Sequence, residues 1–214
     1  ETLGGIIRDA FGKDDRAGGP RDWLRHFRDN LVEAKDRTFE LTVSRPGTAL
    51  WNEMKENARG ASRNTAERGV MQLLVKHARK ALSSLAAGDR KKWELHVVAH
   101  SAGSIYAAEA LEQLVALGVN FKSLSLMAPA ISVADFNRLV VPHLDQKTAP
   151  QPSLFILTDQ GERDDDVGPY GKSALYLVSN ASEGRFDTPL LGMQRYVQQL
   201  DERPGPDAAV QQIF

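Results

Sequence analysis

The chain has 214 residues, 42% of them hydrophobic and 26% charged, which is enough to bury the core of one globular domain. A formal charge of -1 creates no overall field toward nucleic acid or an anionic membrane. The absence of cysteine excludes disulfides, thiol nucleophiles and cysteine-ligated metals, and no apolar run approaches the roughly 18–20 residues that span a bilayer.

Residues 1–20, with Gly4-Gly5 and Gly18-Gly19-Pro20, read as a loop with one short helical turn. The opening Glu1-Thr2-Leu3-Gly4-Gly5 is no signal peptide, and together with the lack of cysteine it fits the cytoplasm. It carries no initiator Met, as a processed or excised piece would not.

Trp23, Phe27, Leu31 and Ala34 recur at helical spacing and predict a helix from Arg21 to about Asp36. Thr38 to Val43 alternates, with Phe39, Leu41 and Val43 on one side, and predicts a half-buried strand ended by Arg45-Pro46-Gly47. Thr48 to about Arg59 reads as a helix around Trp51, Met54 and Ala58. Asn64 and Glu67 have capping spacing, and a long helix follows with Val70, Leu73, Leu74, His77, Ala81, Leu82 and Leu85 on its stripe and Gly88 at its C-terminus.

Trp93 to Ala99 is a short β-rich run, and Ser101 to Leu117 an amphipathic helix closed by Gly118. Phe121 to Met127 predicts a second strand, ended by Ala128-Pro129. Ser132 and Asp135 can cap a helix running to about Val141. Ser153 to Thr158 predicts a third strand, Lys172 to Asn180 and Leu190 to Leu200 two more helices, and Ala208 to Phe214 a final strand. Strands alternating with helices in this way predict an α/β fold, a mostly parallel sheet with helices on both faces, in one domain over 1–214. Residues 1–63 form its N-terminal, cap-like helical part and 64–214 its core. Such sheets place their chemistry at the carboxyl ends of the strands.

Ala99-His100-Ser101-Ala102-Gly103 lies where the first strand of that core gives way to its helix. A serine at a sharp strand-to-helix turn needs small neighbours two residues away on each side, because strand and helix approach closely there. Ala99 and Gly103 satisfy this requirement. The turn exposes the hydroxyl and aims the Ala102 N–H, at a helix N-terminus, toward a developing oxyanion. The bland reading of Ser101 is a helix N-cap. On VVAHSAGS and its setting, the chain resembles the α/β-hydrolase superfamily in its lipase- and esterase-like members, over roughly residues 64–180.

The resemblance implies a catalytic acid after the strand Ser153 to Thr158, where five carboxylates stand between Asp159 and Asp166. Placement a few residues before a Val-Pro-like turn favours Asp164 or Asp165, with Asp159 in reserve. A solvated acidic loop is the alternative, and three adjacent Asp cannot converge on one metal. The resemblance also implies a histidine after the acid. None of His26, His77, His96, His100 and His143 lies there. Three explanations compete: the histidine follows Phe214 in a fold trimmed at both ends, a histidine such as His143 serves out of pattern, or the domain is not catalytic. His77 and His96 read as packed core residues, His26 as a helix-surface residue, and His100 as a neighbour of the oxyanion and substrate region.

The tryptophans read as packing, Arg90-Lys91-Lys92 as a solvated turn, and Arg45-Pro46-Gly47-Thr48 as no phosphate-binding pattern. No residue group has zinc spacing. The expectation is a serine hydrolase acting on a small-molecule or lipid-like acyl substrate, with Ser101 as nucleophile and no cofactor, metal or nucleic acid. The alternatives are a hydrolase-like transferase and a non-catalytic binding or regulatory domain. The sequence leaves the oligomeric state open.

Overall fold

The computed structural model describes residues 20–63, 69–90 and 92–198, with side chains from 31 to 62 and from 69 onward outside position 91. The elements expected at 1–19, the Asn64/Glu67 cap, the end of the last helix and the strand Ala208 to Phe214 lie outside these residues, as do the side chains of Trp23 and His26.

The first described element is one helix, α1 (Pro20–Arg63), of 44 residues, about 66 Å long at the α-helical rise. The strand expected at Thr38 to Val43 is therefore helical. Thr38 and Thr42 donate their hydroxyls to the carbonyls four residues back, both at 2.8 Å, which lets β-branched residues sit within a helix. The alternating face is not buried. Asp36 and Glu40, one helical turn apart, are buried instead. Asp36 Oδ1 accepts from the Gly171 N–H at 3.0 Å, and Glu40 Oε1 accepts from the Tyr170 hydroxyl at 2.6 Å and the Asn180 amide at 2.7 Å. Pro46 lies inside the helix rather than ending it. Gly47 packs there against Ser182, with an added Cβ only 3.3 Å from that hydroxyl oxygen.

Helix α2 (Val70–Ser83) buries Met71, Val75 and Leu82 and exposes Val70, Leu73 and Leu74, so the expected stripe is rotated by about one residue. The cause is its partner: Met71 and Val75 cluster with Ala110 and Leu114. The C-cap is Ser84, and Gly88 belongs to a short separate turn, α3 (Ala87–Arg90).

Three parallel strands follow, β1 (Glu94–His100), β2 (Asn120–Met127) and β3 (Ser153–Phe155), paired in the order β1-β2-β3. Val97 pairs with Leu124, Ala99 with Leu126, and Met127 with Phe155. The crossover from β1 to β2 is α4 (Gly103–Val115). Its buried Ile105, Ala108 and Leu111 join Ala99, Leu124 and Leu126 in the main core, against which Trp51, Met54 and Ala58 of α1 also pack.

The remaining elements are short: α5 (Val133–Leu139), α6 (Val141–Asp145), α7 (Asp159–Arg163), α8 (Ala174–Leu177), the π-helical turn π1 (Val178–Ser182) and α9 (Gln194–Val197). Ser132 caps α5 by accepting from the Asp135 N–H at 3.1 Å, as its position predicts. The third strand ends at Phe155, Leu157 forms an isolated parallel bridge with Met193, and Thr158 caps α7.

Among the described residues the helices pack on one face of the sheet. The opposite face, expected to be covered too, carries Val98 at 67% and Phe155 at 56% exposure, with Met127 and His96 beside them. His96 is consequently exposed rather than packed, its ring bonded to Ser123 Oγ at 2.8 Å. His77 and Trp93 are exposed as well, the first because α2 is rotated and the second because it precedes β1 on the surface.

Candidate active site

Because all three strands run parallel, the turns that leave them gather along one edge of the sheet. Ser101 leaves β1 with φ +50°, a left-handed backbone that a residue with a Cβ adopts at a cost of about 1–2 kcal/mol. Such strain persists only where the surroundings over-determine it. Here three chain segments do so. The Ser101 N–H donates to the Met127 carbonyl at 2.9 Å. The Ser101 carbonyl accepts from the Ala130 N–H at 3.1 Å, the Ser104 N–H at 3.0 Å and the Ser104 hydroxyl at 2.6 Å. Ser104 in turn accepts from the Ile131 N–H at 3.1 Å.

Ser104 is the residue sequence reading missed. Its one visible signal is a small hydroxyl one turn into the helix after the nucleophile. Ala128, leaving β2, also has positive φ (+41°), and its N–H donates to the Phe155 carbonyl at 2.7 Å. Residues 190–193 are laid against this turn. Gly192 donates to the Pro129 carbonyl at 2.8 Å, and a Cβ on it would stand 2.6 Å from that oxygen.

Ser101 is half-buried, and no described residue hydrogen-bonds its hydroxyl. Ala102 is the N-cap of α4, so the dipole of a 13-residue helix points at the space beside Ser101. His100 is exposed on the open face with Val98. His143 is bonded to Thr148 Oγ1 at 3.1 Å. No described histidine pairs with Ser101.

The acidic segment after β3 divides by environment. Asp164 accepts from the Gln160 amide at 2.8 Å and Asp165 from the Asp166 N–H at 2.9 Å, both in the open. Asp159 is half-buried, accepting from the Tyr176 hydroxyl at 2.6 Å and the Arg163 guanidinium at 2.7 Å. Burial alone pushes its carboxyl up, but these two hydrogen bonds and the charges of Arg163 and Arg195 hold it below the ordinary carboxylate range. Its neighbour Glu162 is 0% exposed, and neither carboxylate oxygen has a hydrogen-bond partner among the described residues. Burial first, then the charge of Asp159, push it up to about 8, against the pull of Arg195. The Tyr176 ring lies within cation–π reach of Lys172 and Arg163 and closest to Arg195, at 5.0 Å.

Among the described residues no group of three or more His, Asp or Glu side chains is placed to hold a metal ion, and no helix is long and apolar enough to cross a membrane. What the residues define is a parallel α/β domain with a strained serine at a strand-to-helix turn and a buried polar cluster beyond the third strand. No family model, no curated protein and no solved structure matches the chain.

Proposed function

We propose that the chain carries the nucleophile part of a serine hydrolase of α/β-hydrolase type, cleaving an ester-like bond through an acyl-enzyme on Ser101. The observation that carries this reading is the positive φ of Ser101 between β1 and α4. An ordinary N-cap serine has extended backbone, so strain at this one residue is unexplained by capping. It is what holding a hydroxyl out over the sheet edge requires.

In the reaction, Ser101 Oγ attacks the acyl carbon while its proton passes to a base, and the carbonyl oxygen becomes an oxyanion facing the Ala102 N–H. Collapse expels the alcohol with that proton, and water then releases the acid. Asp159 has the environment an orienting acid needs, ionised and half-buried, while Asp164 and Asp165, favoured by spacing, stand in solvent. In this reading the base comes from outside the described residues.

The test is labelling with a fluorophosphonate probe, comparing the chain with Ser101→Ala. Labelling that disappears in the variant supports an activated serine. Equal labelling of both, or none in the chain or in any longer form of the protein, sinks the proposal. A second reading, a binding or regulatory domain that keeps the turn without turnover, is favoured by the lack of a described histidine beside Ser101 and is the one an unlabelled protein would leave.

A further inference from the structure

Beyond that reading, a second candidate site lies between α1 and the turn π1. A groove of about 470 Å³ runs between α1 and the segment from π1 to Phe186. That volume falls within the range of small-molecule sites. Arg37, Arg45 and Arg185 line it together with Glu40, Asn180 and Phe186.

The charges do not cancel. Glu40 is the lining carboxylate, and it is already engaged by the Tyr170 hydroxyl, the Asn180 amide and, at 3.3 Å, Arg37. That leaves Arg45 and Arg185, both exposed and neither in an ion pair with a described residue. The two lining hydroxyls are already engaged. The Ser44 hydroxyl donates to the Leu41 carbonyl at 3.0 Å, and the Thr48 hydroxyl to the Ala181 carbonyl at 3.1 Å. An anion entering the groove would therefore be met by two guanidinium forks, whose planar geometry matches phosphate oxygens.

The walls also offer apolar contact. Phe186 is 54% exposed, with the Arg37 guanidinium 3.6 Å over its ring, and Leu41 is exposed on the α1 side. A π-helical turn forms one wall, an arrangement that recurs at functional sites. It is held against α1 by the Thr48 hydrogen bond and by the close approach at Gly47.

We propose that this groove binds a small organic phosphate, its phosphoryl oxygens held by Arg45 and Arg185 and its organic part lying on Phe186 and Leu41. Two guanidiniums with no ion-pair partner among the described residues balance a phosphate dianion and exceed the charge of a lone carboxylate.

The test is isothermal titration of the full chain with phenyl phosphate, with benzoate and inorganic phosphate as comparison probes. Phenyl phosphate is expected to bind more tightly than either. Arg45→Ala and Arg185→Ala should each weaken it by about tenfold or more, and the double variant should show no measurable binding. Both arginines are exposed, so unfolding midpoints should match the wild type and loss of binding will not be loss of fold. No binding of phenyl phosphate at millimolar concentration, or wild-type affinity in the double variant, overturns the proposal. Benzoate binding as tightly as phenyl phosphate overturns the phosphate assignment, and inorganic phosphate binding as tightly overturns the organic one.

Discussion

Replacing Glu162 with glutamine isolates the energetic consequence of burying a carboxyl group without partners. The side chain is 0% exposed, both oxygens lack hydrogen bonds among the described residues, and its carboxyl is pushed from 4.5 up to about 8. The folded chain therefore keeps a proton that the unfolded chain releases. Stability contributed by that proton is fully present below pH 4.5, falls as the pH rises through 8, and is flat beyond. At 1.36 kcal/mol per pKa unit, the loss is on the order of 3 kcal/mol by pH 7 and about 5 by pH 9. Against a total stability of roughly 5–15 kcal/mol for a domain, that is large. Glu162→Gln keeps the shape and removes the titration. Urea unfolding followed by circular dichroism at pH 5, 7 and 9 should show wild type and variant within about 1 kcal/mol at pH 5. The variant should be the more stable at pH 9 by several kcal/mol. Parallel pH profiles for the two proteins, or a variant less stable at every pH, would refute the reasoning.

Two further outcomes bear on the turn itself. Ser101→Gly should be more stable than Ser101→Ala by about 1 kcal/mol in the same unfolding assay, because glycine adopts φ +50° without the Cβ penalty. Equal stability would mean the turn stores no strain. Gly192→Ala should destabilise by about 1–3 kcal/mol, since its Cβ meets backbone atoms of Pro129 and Ala128 at 2.6–2.8 Å and no flexible side chain can move aside. A thermal midpoint unchanged from wild type would show that residues 190–193 do not rest on that turn.

The parallel sheet and the Ser101 turn were legible because their signals are local. Short apolar runs end in small residues, a helix-period stripe follows Gly103, and Ser132 stands at capping distance before α5. The region 38–43 was not legible, and for a definite reason. Its Thr, Phe and Val residues carry strand preferences, but its period is set by Asp36 and Glu40, whose partners Gly171, Tyr170 and Asn180 lie some 130 residues away. A buried carboxylate in a helix looks like a surface residue until those partners are in place. The same holds at the candidate site. Asp164 and Asp165 stand out by spacing, whereas the environment of Asp159 depends on Tyr176, which arrives from another helix. The exposed His96 and Val98 reflect a sheet face that the described helices leave open, which no residue of β1 announces by itself.

The conformation of Ser101 belongs to the tertiary structure and not to the segment that contains it. Two of the groups that fix it are the Met127 carbonyl, at the end of β2, and the Ala130 N–H just after that strand, and Ile131 secures the Ser104 hydroxyl from the same corner. A peptide spanning β1 and α4 would keep the two Ser104 bonds to the Ser101 carbonyl but lose the Met127 and Ala130 bonds, and with them the long-range hold on the positive φ. The turn thus acts as a cooperative latch: it closes only when β2 has docked and the 128–131 corner has formed. An intermediate with β1 and α4 in place but β2 detached would hold the same serine by its Ser104 bonds alone, so the arrangement of this one residue distinguishes assembled from partly assembled protein.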